Sequence, residues 1–368
     1  MASPRSIAAA SSLGRRRAFT LIEVLVAIVI AGVTITAIYT IFRRQSKQLA
    51  FDQLQAEMNQ SMRFATDMVT RSIRLAGYGT GGYVSGVMGP TNPGIGSEGL
   101  LLPAVVAWDG NGPNGTDAIT VVHADPSMMM DTDSTSVPPC NTTSVRVRPG
   151  MLDHSQKLQQ LNAGDLLICF DYADIRGVDT YLWSITGSPD LGSGDIPITD
   201  NSALSDYAAV CPSGENLSPV LTCSRAVVNT FYVDDVDDGI GPGSPAHPTL
   251  MLDMNMSWPS DDDVPLVDNI EDFQIEYCLA DPTSDTANCA DATSWVDGSA
   301  VNVNQAHLVW MARVMMTVRS SREDQGGAYR NQRQGLSNRS GGSGEDSYYR
   351  QYLTTEVTLR NIRYQAVL

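Results

Sequence analysis

Histidine is scarce in this chain and positive charge is in deficit: 368 residues hold four histidines and 24 lysines and arginines against 41 acidic residues, a net charge of −17. So acidic a surface repels nucleic acid and anionic membrane unless its charges are segregated, so no direct nucleic-acid binding is expected. His123, His154, His247 and His307 are scattered, and no His-Glu-x-x-His, no nucleophile-elbow Gly-x-Ser-x-Gly and no phosphate-cradling Gly-x-x-x-x-Gly-Lys occurs. Gly341-Gly342-Ser343-Gly344 comes nearest, but Glu345 stands where the elbow needs its last glycine. The chain is therefore expected not to be an enzyme. Cys-x-x-Cys is missing as well, which argues against a thioredoxin-like redox site and a zinc knuckle.

No cofactor is expected, and calcium is the one metal whose hard oxygen ligands are present in runs. Asp234, Asp235, Asp237 and Asp238 form one acidic cluster and Asp261, Asp262 and Asp263 another. The first ends in Gly239 but puts Val236 where an EF-hand loop needs a ligand, so both clusters read as solvated acidic turns. Met128, Met129 and Met130 have no histidine or cysteine at useful spacing and read as core or loop filler.

Proline and glycine are absent from Gln48 to Ala76. Leu54, Met58, Ala65, Val69, Ile73 and Ala76 recur there at helical spacing between polar residues, and Gly77 and Gly79 supply the stop. Upstream lies a strongly apolar run, Phe19 to Phe42, long enough at about 1.5 Å per residue to cross a hydrocarbon core roughly 30 Å thick. A continuous helix from Phe19 to Ala76 would extend on the order of 87 Å. The run contains one carboxylate, Glu23. An acid in a spanning helix costs roughly 2.5–3.5 kcal/mol on insertion scales, so its presence asks for a partner.

A secretory signal would carry its small-residue cleavage site beyond the apolar core; here the small-residue junction, Ala18 before Phe19, precedes it. Cleavage there would remove Arg5, Arg15, Arg16 and Arg17, take the net charge to −21 and keep the hydrophobic helix. Arg43, Arg44 and Lys47 follow the span, so charge counting biases the N-terminus only weakly toward the cytoplasm.

Ala18-Phe19-Thr20-Leu21-Ile22-Glu23-Val24 resembles the cleavage and assembly motif of type IV prepilins and pseudopilins. The resemblance implies that a prepilin peptidase cuts between Ala18 and Phe19 on the cytoplasmic side and methylates the new amine of Phe19. It also implies that Glu23, fifth from that terminus, meets the Phe19 amine of a neighbouring subunit in a packed helix bundle, so that each buried charge has its counter-charge. Ala18 stands where the family usually has glycine, and slower processing is expected. The resemblance places the part beyond the span outside the inner membrane, with pilus and cell surface as the destination.

Three later segments resemble PilW-type minor pilins: Asp268–Tyr277, Val314–Ser320 with its arginine-serine pair, and Thr354–Asn361 with its closing Val-x-Leu-Arg-Asn. The role implied is a minor pilin that primes or joins type IV pilus assembly, near the tip, with major and minor pilins, prepilin peptidase and the inner membrane as partners. Two alternatives stay open, a J-type pseudopilin of type II secretion and a tip adhesin or sensor.

The expected organisation is a leader over 1–18, a transmembrane and assembly helix over 19–42, its amphipathic continuation over 43–77, and an extracytoplasmic head over 78–368. The fold class expected is α+β, a long N-terminal helix packed on a β-rich head. Strands are predicted at Ile119–His123, Leu166–Phe170, Tyr181–Ile185, Val227–Val233, Leu250–Met254, Phe273–Tyr277, Leu308–Val318 and Leu353–Arg360. Long loops are expected near 79–103, 187–205 and 320–349, the last from its Gly, Ser, Arg, Asn and Gln content. Six cysteines outside the cytoplasm suggest disulfides. Fifteen pairings can be drawn; short loops favour Cys211–Cys223 and Cys278–Cys289, leaving Cys140–Cys169.

Overall fold

The computed structural model describes residues 20–79, 83–86, 102–112, 115–133, 143–148, 153–170, 180–198, 221–236, 246–254, 259, 262–280, 288–301, 308–324 and 329–361. By contact density the chain divides into two units, residues 1–55 and 56–368. One helix, α1, Leu21–Leu75, belongs partly to each.

In the first unit α1 starts with a reciprocal cap. The Glu23 backbone N–H donates to Thr20 Oγ1 at 3.4 Å, and Glu23 Oε2 accepts from the Thr20 backbone N–H at 3.0 Å. This is the capping-box arrangement, which satisfies two donors that a helix start leaves open. Every described side chain from Thr20 to Ala50 is exposed.

In the second unit α1 buries one stripe, Met58, Met62, Ala65, Val69, Ile73 and Ala76. Their spacing of three or four residues keeps them on one face. The helix ends as its glycines dictate. Gly77 and Gly79 adopt φ values of 76° and 72°, and a Cβ on Gly79 would lie 2.7 Å from both the Ala124 Cβ and the Phe170 ring.

The strands, in chain order, begin with β1 Tyr83–Gly86, β2 Leu102–Pro103, β3 Val105–Trp108, β4 Ala118–Ala124, β5 Met130–Asp131 and β6 Ser144–Arg146. After a short helix, α2 His154–Leu158, come β7 Leu166–Phe170, β8 Thr180–Ser184, β9 Asp195–Pro197, β10 Thr222–Val236, β11 His247–Asp253 and β12 Val264–Asp268. The C-terminal part adds β13 Ile270–Leu279, β14 Trp295–Asp297, β15 Val309–Arg319, β16 Asn331–Gln332, β17 Glu345–Asp346 and β18 Arg350–Thr358.

The fifteen-residue β10 organises the larger sheet. Its first residues pair antiparallel with β7 and β5; beyond them it pairs with β4 and then β11. The second sheet is four-stranded, in the order β14-β13-β15-β18. Phe273, Ile275 and Tyr277 of β13, Ala312, Val314, Met316 and Val318 of β15 and Val357 of β18 form its apolar face. That face joins Ile119, Val121, Phe231 and Val233 of the larger sheet and the α1 stripe in one core. Burying side chains of this size contributes roughly 1.5–3 kcal/mol each, which outweighs helix propensity as the reason residues 56–75 stay helical. Helix and sheets thus have the expected α+β arrangement.

Two expectations need correction. Cys223 is bridged to Cys169, not to Cys211, so the pairs Cys211–Cys223 and Cys140–Cys169 do not form. The reason is strand register: Cys169 on β7 and Cys223 on β10 face each other directly, Cα to Cα 4.0 Å, inside a second core with Trp183, Leu167 and Ile196. Cys278 is bridged to Cys289. Cys140 and Cys211 lie outside the described residues.

The expected loops are the second correction. Residues 187–198 are not an open loop, because β9 pairs with β6 and Asp190 accepts from Gly192 N–H at 2.8 Å. Residues 329–349 contain the β16–β17 hairpin and are tied down along their length. Most of 79–103 lies outside the described residues.

Candidate functional site

The first candidate site is the start of α1. Ala18 and Phe19, the expected cleavage and methylation pair, lie outside the described residues. Glu23 is exposed one turn into the helix, and two Thr20 bonds meet on its Oε2: the backbone N–H and the hydroxyl, both at 3.0 Å. No described residue bonds Oε1. Thr20 therefore orients the carboxylate through Oε2. The Thr20-x-x-Glu23 spacing is the signal for this cap in the sequence.

Around and beyond Glu23 the surface is almost wholly apolar. Leu21, Ile28, Val33 and Ile38 are each more than 60% exposed, which leaves a hydrophobic surface that water covers poorly. The polar side chains within it are answered locally: the hydroxyls of Thr34, Thr36 and Thr40 donate to the carbonyls of Ile30, Gly32 and Ala37, all at 2.8 Å. In an oily setting such back-bonding spares a hydroxyl from lying unpaired. Among the described residues one helix, Leu21–Leu75, is long and apolar enough to cross a membrane, and Glu23 is the one acid of its apolar run 19–42.

The second candidate is the outer face of the four-stranded sheet, opposite the apolar face. Alternation along β13 puts Asp272, Gln274 and Glu276 there, facing Thr317, Met315 and Arg313 of β15. Asp272, Gln274 and Thr317 are fully buried, although they occupy the face that ought to meet water. The cover is the segment 329–349. Arg333 and Arg339 both bond to Asp272, the latter at 2.6 Å. Ser337 donates to Glu276 and Asp297 at 3.0 and 2.9 Å, Asn338 donates to Asp109 at 2.6 Å, and the Gln334 N–H donates to Tyr352 Oη at 3.1 Å.

Flanking pairs lock the strand ends. Arg313 bridges Glu276 and Glu356, each at 3.0 Å, beneath the Trp295 ring, and Arg350 bridges Glu271 and Asp346. Burial opposes the charge of Arg350, but the hydrogen bonds to those two carboxylates outweigh it and raise its pKa. At the edge of this face Asp117 accepts from the Gly110 and Ile275 N–H groups at 2.9 and 2.8 Å. Burial, reinforced by neighbouring Asp109, pushes its carboxyl up to about 7. These contacts order the head; none presents a nucleophile beside a base.

Among the described residues no three His, Cys, Asp or Glu side chains converge as metal ligands. Asp234 and Asp235 lie on the end of β10, while Asp237, Asp238 and Asp261 lie outside the described residues. Met128 and Met130 are packed in the core around the Cys169–Cys223 bridge.

Comparison with known proteins returns two matches. Residues 13–39 match the prokaryotic N-terminal methylation motif, and residues 230–361 match the type IV pilus-assembly protein W family, PilW. The first spans the expected cleavage junction and Glu23; the second runs from within β10 to just beyond β18 and includes the whole four-stranded sheet. No curated protein and no solved structure matches the chain.

Proposed function

We propose that this chain, which carries a PilW segment and an N-terminal methylation motif, is a minor pilin that primes or joins type IV pilus assembly. Prepilin peptidase cuts between Ala18 and Phe19 and methylates the Phe19 amine. The helix then waits in the inner membrane, N-terminus cytoplasmic and head outside, before packing among other pilin helices. The apolar side chains from Leu21 to Ile41 supply the contact surface. The Phe19 amine of one subunit and the Glu23 carboxylate of its neighbour neutralise each other and set the axial register.

The observation that carries this reading is the pairing of an exposed apolar helix with a single carboxylate whose Oε1 has no partner among the described residues. A helix built only to anchor the head would gain from leucine at that position. A large head, 291 residues counted over 78–368, would strain a repeated lattice, so few copies near a tip or in a priming complex suit it better than a shaft. The chemistry is non-catalytic and needs no cofactor.

Mass spectrometry of the mature N-terminus tests the class. A methylated phenylalanine at position 19 is expected; a retained leader, or a cut beyond the apolar run, would overturn the reading. Deletion of the gene separates the role from secretion. Loss of pili and twitching is expected, whereas blocked export of a folded protein with normal pili would assign the chain to a secretion system.

A further inference from the structure

The segment between β15 and β18 makes its contacts in an unusual way. Its base is closed by backbone bonds, Ser320 N–H to Tyr349 O and Asp324 N–H to Ser347 O, and is fastened to α1 by Ser321 Oγ donating to Glu57 at 2.9 Å. Its tip, by contrast, adds no fully buried apolar residue to the core. What holds the tip are the guanidinium groups of Arg333 and Arg339 on Asp272 and the side-chain bonds of Ser337 and Asn338.

The tip is also internally shaped. Gly342 N–H donates to Arg333 O at 3.0 Å, Arg333 Nη2 donates to Ser340 O at 2.8 Å, and a Cβ on Gly341 would lie 2.6 Å from Arg333 O. Glycine serves close backbone crossing here. Beneath the tip, Gln274 Oε1 and Thr317 Oγ1 are buried without a hydrogen-bond partner among the described residues. Both are groups that water would satisfy once the cover is lifted, and unpaired buried polar atoms cost free energy as long as it is closed. Lifting the tip would uncover mainly polar groups, with Met315 the buried apolar side chain of β15 on this face, because the apolar core lies on the opposite face of the sheet.

We propose that the tip of this segment, residues 333–344, forms a detachable strap, seated on Asp272, that opens as a unit and uncovers the acidic outer face of the four-stranded sheet while its base and both sheets stay folded. The uncovered face carries Asp272, Glu276 and Glu356 around Arg313, and its chemistry suits guanidinium groups, the ones the strap itself supplies. Strap opening thus controls whether that face is available in the assembled head. The proposal stands on head geometry alone, so it and the pilin reading fail separately.

Amide hydrogen exchange followed by mass spectrometry on the full chain in detergent tests it. In the native protein, amides of 333–344 are expected to exchange at least about 10-fold faster than those of β13 and β15, through openings confined to the strap. Arg333→Gln with Arg339→Gln should speed strap exchange by at least about 100-fold, because it removes both partners of a buried carboxylate, and should leave β13 and β15 unchanged. Equal exchange of strap and β15 in the native protein would overturn the proposal, with or without a well-folded variant. So would a variant in which protection is lost across the whole sheet, or in which the strap does not change.

Discussion

The two halves of α1 share one helix and differ in everything around it. From Thr20 to Ala50 no described side chain is covered, and Leu21 is 83% exposed; from Met58 to Ala76 a stripe of six is buried, with Ile73 at 0%. The inner half finds its apolar partners inside the chain, chiefly on β13, β15, β4 and β10. The outer half has none among the described residues, yet it is the more hydrophobic. A helix surface of that kind is stable only in lipid or against other helices. In the proposed reading its one carboxylate, Glu23, is answered there by a positive charge.

That contrast can be broken deliberately. Phe273→Ala, in the core that holds the inner half, should cost about 3–5 kcal/mol of head stability in urea unfolding of the full chain in detergent. Ile28→Ala in the outer half should move the same midpoint by less than about 0.5 kcal/mol and act only on filament incorporation. Equal effects would erase the distinction between a self-sufficient and a partner-dependent half.

The bridges come next. Removing Cys169–Cys223 by double alanine substitution should cost about 4 kcal/mol and removing Cys278–Cys289 about 3, since the first closes a 54-residue separation and the second only 11. Unfolding with each pair replaced measures both. Neither change should alter membrane insertion of the outer half, which a membrane-fractionation assay would report.

The smallest effect is in pH. Asp117 keeps its proton in the folded head up to about pH 7, whereas the unfolded chain releases it near 3.8. The folded state therefore binds the extra proton between those values. The stabilisation linked to this proton is complete below about pH 4 and is lost as pH rises to about 7. Asp109→Asn removes the neighbouring negative charge, so the fall in stability from pH 4 to 7 should shrink by about 1 kcal/mol. Unfolding midpoints of the two proteins across that range check it, and parallel curves would show that Asp109 does not act on Asp117.

Much of the fold was legible because it rests on periodicity. Alternation along Leu308–Val318 marked β15, and the Met58-to-Ala76 spacing marked the buried stripe of α1, since one-sided burial writes itself into the order of apolar residues. The Cys169–Cys223 bridge was not legible. Loop length measures the entropy of closing a ring, whereas strand register had already brought these two side chains together across β7 and β10. The contacts of the strap were not legible for a related reason. Its Gly, Ser, Arg and Asn content is that of a flexible loop, and no local pattern reveals that Arg333 and Arg339 converge on a carboxylate about sixty residues earlier in the chain. Glu23 stood out as an acid in an apolar run, while the cap it forms with Thr20 was present in the spacing and passed over.

The central claim is that Glu23 serves a neighbour's terminal amine and not the stability of its own chain. Glu23→Gln, quantified as filament-associated protein relative to total cellular protein, tests it most directly, with the unfolding midpoint of the head measured alongside. The account predicts a fall of at least about 100-fold in incorporation, the cost of leaving a buried amine without its counter-charge, at an unchanged midpoint. Incorporation equal to that of the native chain would contradict it.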